Sequence, residues 1–157
     1  LKRALTVSEA EPRAQCTLTG SLEQLARLRE FINLTAPQFG CDEQDTFAFE
    51  LACDEAAANI FAHAFENKTG QVQVEFWRQD DTVCVCFMYH GRSFDPSQVP
   101  EPDLAAPLEK RPVGGLGLFF MRQLMSDVNF EFDAVNGNKL TMHRLLMMEG
   151  RGNHVEP

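Results

Sequence analysis

Apolar residues recur along this chain at two intervals, three to four residues in some stretches and two in others, and each change of interval marks a new element. QCTLTG (15–20) reads as a short strand. In the following SLEQLARLREFINLTAPQFG, Leu22, Leu25, Leu28 and Ile32 are spaced for a helix, with Ser21 as its N-cap and Pro37 and Gly40 closing it. A second helix is predicted from about Asp42 to Phe65, with Phe47, Leu51, Ala58 and Phe65 as its apolar stripe and DEQD placing acidic residues at its N-terminus. GQVQVEFWRQ (70–79) alternates at Val72, Val74 and Phe76, and Asp80-Asp81 turns it into the alternating TVCVCFMY, so the two form a hairpin. Residues 91–112 hold Pro96, Pro100, Pro102, Pro107 and Pro112, a long loop of the kind that often serves as a lid. VGGLGLFFMRQLMSDV reads as glycines opening a helix, and NFEFDAVNGNKLTMHRLL as a hairpin turned at Asn136-Gly137.

The order strand, two helices, two strands, lid, helix, two strands predicts an α+β two-layer sandwich, in which helices cover one face of a mixed, mostly antiparallel sheet. A chain of 157 residues suits one domain, here spanning 1–157 with its core at about 15–147 and polar ends.

Charge and cysteine usage narrow the function classes. The formal net charge is −9 with no Lys/Arg cluster, which argues against nucleic acid and anionic membranes and favours a partner with a basic surface. No apolar run is long enough to span a bilayer, and LKRALTVSEAEPRAQ lacks the features of a secretory signal, so the expected location is cytoplasmic. The five scattered cysteines do not show zinc spacing and read as reduced, structural thiols.

Three stretches carry candidate chemistry. In FELACDEAAANIFAHAF (49–65), Glu55 and Asn59 are four apart and share a helix face. They form either a solvated strip with a side-chain hydrogen bond or a hard-cation site, in which the amide oxygen suits Mg²⁺ and the carboxylate accepts a proton. In RPVGGLGLFFMRQL (111–124), the glycines before a helix serve either phosphate approach or close helix–sheet packing. In CFMYHGRSFDP (86–96), Gly91 and Asp95 shape a strand end, as a turn or as the rim of a site.

The ordered combination is more specific than its parts. E-x-x-x-N on a helix, a strand running into G-x-x-F-D-P, a long lid and then GGLGL opening a helix resemble the anti-sigma-factor serine kinases of bacterial partner-switching systems. These belong to the histidine-kinase, gyrase and Hsp90 (GHKL, or Bergerat-type) ATPase superfamily. DEAAANIFAHAF, GRSFDP, RPVGGLGLFFMRQLMSDV and GNKLT carry the resemblance, which covers roughly residues 15–147. It implies that Asn59 holds Mg²⁺ against the phosphates of ATP and that Glu55 is the catalytic base. Gly114, Gly115 and Gly117 would cradle phosphate, with Leu116 packing the loop down and Arg111 neutralising charge. The lid would be 96–112, Gly91 would lie at the adenine side, and Thr141 would place a hydroxyl near the adenine-binding strand.

Tyr89 departs from this pattern, since similar proteins carry aspartate at that place, where its carboxylate accepts a hydrogen bond from the adenine amino group. A phenol there can accept the same bond, stack on a base or fill the pocket. Two functions follow. One is a protein-serine kinase that uses Mg·ATP to phosphorylate a small serine-bearing anti-sigma-factor antagonist and also binds a sigma factor or similar regulator, with a homodimer implied by the same resemblance. The other is a partner-switching adaptor with a degenerate adenine site.

Overall fold

A computed structural model describes residues 12–65, 70–93 and 115–146, together with Ala105. Strand β1 (Arg13–Thr19) is followed by helix α1 (Gln24–Thr35), a 3₁₀ turn (Ala36–Phe39) and helix α2 (Glu43–His63). Strands β2 (Gln71–Gln79) and β3 (Thr82–Tyr89), helix α3 (Gly115–Leu124), and strands β4 (Asp127–Glu131) and β5 (Asn138–Leu145) complete it.

The sheet order is β1-β2-β3-β5-β4, and every pairing is antiparallel. The mixed component of the expected sheet is therefore absent among the described strands. Strands β3 and β4 do run in the same direction, as a helical crossover requires, but β5 lies between them and pairs antiparallel with both. Helices cover one face. Val72, Val74, Phe76, Val85, Phe87, Leu140 and Met142 point into a core shared with Leu28 and Ile32 of α1, Phe49, Ala52, Ala56 and Ile60 of α2, and Met121 of α3.

Helix α2 begins as its sequence predicts. Asp42 is the N-cap, its Oδ1 accepting from the Asp45 amide at 2.7 Å, while Asp45 returns an acceptor to the Asp42 amide at 3.4 Å. Asp45 has a second role, because its Oδ1 accepts from Arg144 Nε of β5 at 2.9 Å. The same guanidinium donates through Nη1 to the carbonyl of Leu124, the last residue of α3, at 2.6 Å. One arginine thus joins β5, the start of α2 and the end of α3. Arg29 of α1 forks onto Asp54 of α2, at 3.0 Å from Nε to Oδ1 and 2.7 Å from Nη2 to Oδ2.

Three local readings change. Ser21 does not cap α1, which starts at Gln24 after Glu23 without a side-chain cap, because residues 21–23 are taken up by a turn closed by Ser21 O and the Gln24 amide. The stripe assigned to α2 is displaced: Phe47 and Leu51 are 58% and 40% exposed, whereas Phe49, Ala52, Cys53, Ala56 and Ile60 are buried. The buried face pairs large side chains, Phe49 and Ile60, with the small Ala52 and Ala56, which let the helix lie close against the sheet. The β4–β5 connection is a six-residue loop over 132–137, organised by Asp133 Oδ1 accepting from the amides of Val135 and Asn136 at 2.8 and 3.0 Å. Asn136-Gly137 end that loop and do not form a two-residue turn. The Asp80-Asp81 turn stands as expected, with Gln79 paired to Thr82 and Asp80 at φ 54°.

The five cysteines are free thiols, four of them buried. No helix among the described residues is long and apolar enough to cross a membrane.

Two outcomes test this packing. Phe49→Ala is expected to cost about 3–5 kcal/mol of unfolding free energy, and Phe47→Ala about 0.5 kcal/mol or less, both read from urea denaturation midpoints. Arg144→Met, which leaves the buried Asp45 carboxylate without its cation, is expected to cost about 3–5 kcal/mol in the same measurement.

Candidate active site

Glu55 and Asn59 lie one turn apart on α2, both half-buried, on the flank of the helix that faces α3. Helix α3 approaches through Gly117 in its first turn. A Cβ added there would collide with Glu55 Oε2 and lie 3.6 Å from Asn59 Nδ2, so a larger residue would have to displace the Glu55 carboxylate. Burial, and then the neighbouring Asp54 charge, push the Glu55 carboxyl above its ordinary range. A carboxylate held there is a better proton acceptor than an exposed one.

The end of β3 reaches the C-terminal end of α2. A Cβ on Gly91 would stand 2.5 Å from the carbonyl oxygen of Ala64, and the same oxygen accepts from the Arg92 amide at 3.0 Å. Ala64 lies five residues beyond Asn59, about 7.5 Å along the helix axis. Gly91 therefore closes one end of the strip that begins at Glu55.

Tyr89 sits two residues before Gly91, on the helix-covered face of the sheet, between Val72 of β2 and Asn138 of β5. It is 2% exposed, and its hydroxyl is buried with no hydrogen-bond partner among the described residues. An unpaired buried hydroxyl costs about 1–3 kcal/mol. Burial also pushes the phenol up to about 12.

Asn138 is a residue that motif reading passes over. It is 4% exposed, shares the Tyr89 face and donates from Nδ2 to the Gly91 carbonyl at 3.1 Å. Strand parity is the signal that finds it: Leu140 and Met142 point inward, so 138 does too. The same parity corrects the placement of Thr141. It pairs with Cys86 and donates to Cys86 Sγ at 3.5 Å on the uncovered face, opposite to Glu55 and Asn59. Thr141 is not brought into the site.

Gly115 opens α3, and Leu116 follows it in the same turn. Arg111, Gly114, Phe94 and Asp95 lie outside the described residues, as does the lid segment 96–112 apart from Ala105. Among the described residues no group of three or more His, Cys, Asp or Glu side chains is arranged to hold a metal. The Asn59 amide oxygen is a hard donor that suits Mg²⁺, an ion that takes one or two protein ligands and fills its shell with water and phosphate, with the Glu55 carboxylate beside it as a proton acceptor. The residues present fit that ion, supported by a helix approach that a Cβ at Gly117 would obstruct.

Comparison with known proteins gives this geometry a lineage. The profile of the Histidine kinase-like ATPase domain family matches residues 18–144. The chain is 28% identical over 139 residues to the serine-protein kinase RsbW of Bacillus cereus (strain Q1), covering 86% of both chains. It is 27% identical over the same length to RsbW of Bacillus anthracis (strain CDC 684 / NRRL 3495), again covering 86% of each. Among solved structures, the RsbU and RsbW domains of Rv1364c from Mycobacterium tuberculosis match with a TM-score of 0.61 and 17% identity. That match covers 85% of this chain and 32% of the larger one, and it shows a shared fold. The chain belongs to the histidine kinase-like ATPase domain family.

The raised Glu55 carboxyl sets a pH test. Its stabilising contribution is fully present below the unfolded value of 4.5 and is lost as pH rises through the higher folded value. Glu55→Gln is therefore expected to melt above wild type at pH 7, with the difference closing near pH 4, in thermal scans at both pH values. A pH-independent difference would contradict this origin.

Proposed function

We propose that this member of the histidine kinase-like ATPase family is a protein-serine kinase of the partner-switching type. It would transfer the γ-phosphoryl group of Mg·ATP to a serine of a small anti-sigma-factor antagonist, and would also bind a sigma factor or similar regulator. The observation that carries this reading is the convergence of Glu55, Asn59 and Gly117 on one strip between α2 and α3, in a chain matched over 86% of its length by RsbW serine-protein kinases.

The bound magnesium would neutralise charge on the transferring phosphoryl group. Asn59 offers its amide oxygen to that ion, and Glu55 accepts the proton of the attacking serine hydroxyl. Gly114, Gly115 and Gly117 would offer backbone N–H groups to phosphate, with Leu116 to seat the loop and Arg111 to add positive charge. Gly91 and Tyr89 border the base. The formal charge of −9 favours partners with basic surfaces. We place the reaction in the cytoplasm, with a homodimer as the working assembly.

A second reading is favoured by Tyr89, whose buried side chain stands at the base end of the strip. In that reading the fold serves as a partner-switching adaptor without nucleotide turnover.

Nucleotide titration separates the two. Mg·ATP at about 100 times its dissociation constant is expected to raise the unfolding free energy by about 2.7 kcal/mol. Glu55→Gln is expected to keep that response while lowering phosphoserine formation on the antagonist, measured by mass spectrometry, by about 10²-fold or more. Asn59→Ala is expected to lose the magnesium-dependent part of binding. A flat response of the wild type to nucleotide would leave the adaptor.

A further inference from the structure

Where the end of α1 meets the start of α2, the surface opens into a groove of about 600 Å³. It lies on the flank of α2 that faces α1, away from the Glu55 strip on the α3 flank. Pro37 and the buried Cys41 line its floor, and Phe47 stands in its wall with more than half of its surface exposed. Burial, and then the Asp45 and Asp42 charges, push the Cys41 thiol up to about 12, so the floor carries no charge.

The groove is held open by its own backbone. Gly40 closes the 3₁₀ turn at φ 92°, the Cys41 amide donates to the Ala36 carbonyl at 3.1 Å, and Arg78 Nη1 donates to the Phe39 carbonyl at 3.0 Å. Across from the turn, Asn33 Nδ2 donates to the Arg29 carbonyl at 2.8 Å and to Glu50 Oε2 at 3.2 Å, which locks α1 to α2. A surface fixed in this way loses little freedom when it is covered.

The chemistry of the lining selects an occupant. An aromatic ring exposed at the wall of a fixed groove offers an anchor of the kind around which interfaces form. Asp42, Glu43 and Glu50 border it, and no Lys, Arg or His lines the groove among the described residues. The guanidinium groups of Arg29, Arg78 and Arg144 that serve these elements are engaged with Asp54, the Phe39 carbonyl and Asp45. A second copy of this chain in a two-fold contact would set these carboxylates against their own counterparts, and an anionic lipid surface would be repelled likewise.

We propose that this groove docks a basic amphipathic segment of a partner protein, with an apolar side chain packed against Phe47 and Pro37 and flanking Lys or Arg residues meeting Glu43 and Glu50. The inference goes beyond the kinase reading and needs no nucleotide, so it holds for a kinase and for an adaptor alike.

The probe is a fluorescently labelled helical peptide with leucine on one face and lysine on the other, titrated against the full chain without nucleotide and read by anisotropy. The same peptide with glutamate for lysine is its control, and it is expected to bind about tenfold more weakly or worse. Phe47→Ala, whose cost to folding is small, is expected to weaken the lysine peptide by about tenfold or more. Glu43→Gln combined with Glu50→Gln is expected to weaken it about threefold to tenfold at low salt, with the difference shrinking at high salt as rim charges are screened. Asp42 is kept because it caps α2. Val135→Ala removes exposed apolar surface on the β4–β5 loop and is expected to leave binding unchanged. Equal affinity of Phe47→Ala and wild type overturns the inference, as does equal binding of the two peptides. Self-association of the chain that Phe47→Ala abolishes, with no binding of the lysine peptide, would assign the groove to a second copy and overturn it too. Nucleotide titration is untouched by any of these outcomes, so the kinase reading stands or falls separately.

Discussion

The Arg144 guanidinium fixes the distance on which the rest of the site depends. It reaches from β5 to the Asp45 carboxylate at the start of α2 and to the Leu124 carbonyl at the end of α3. Glu55 and Asn59 ride on one of those helices and Gly117 on the other. Asp45 lies ten residues before Glu55, and Leu124 seven residues after Gly117, so the tie sits about 15 and 10 Å along the helix axes from the groups it aligns. Because Asp45 also closes the α2 capping box, the same carboxylate ends a helix and anchors a strand. A planar guanidinium can serve two acceptors in a defined geometry, which a lysine ammonium at this place would not reproduce.

The α2–α3 strip and the rim of the sheet make different demands on their residues. Glu55 is held in partial burial at a cost that appears in its raised carboxyl, an arrangement that favours proton acceptance over stability. Tyr89 is likewise costly, since its hydroxyl is buried without a partner. Local destabilisation at both ends of one strip is what a binding site shows and what a purely structural module has little reason to retain. Around them the core is conventional, with Phe49 set edge-on to Phe76 at a centroid distance of 5.0 Å.

Much of this was legible in the chain itself, and the misses have physical causes. Period-two alternation located β2 and β3 and their Asp80-Asp81 turn, because a half-buried strand leaves that signature whatever packs on it. The α2 start was legible because Asp42 and Asp45 act locally. The buried face of α2 was not, since Phe47 and Leu51 face outward while Phe49, Ala52, Ala56 and Ile60 take the core. Hydrophobic size misleads wherever close backbone approach is worth more than volume. Of the site, Glu55, Asn59 and Gly117 were readable from spacing and are brought together. The resemblance puts the Thr141 hydroxyl near the adenine-binding strand, but strand parity turns Thr141 to the uncovered face and Asn138 to the covered one. The unpartnered state of the Tyr89 hydroxyl is a tertiary fact, invisible until β5 is set beside β3.

The sheet order carries a consequence for how the molecule is made. Strand β5 follows β4 in sequence, yet it is inserted between β4 and β3. Until it arrives, the backbone edges of β3 and β4 that it will pair have unsatisfied N–H and C=O groups, and the two helices lack the Arg144 tie. Asn138 and Arg144 lie near opposite ends of this one strand, so the Asn138–Gly91 contact and the α2–α3 tie form in the same event. A ribosome-bound chain ending before residue 138 would hold α1, α2 and the β2–β3 hairpin without a competent site. Such late, non-local closure slows folding and exposes strand edges meanwhile.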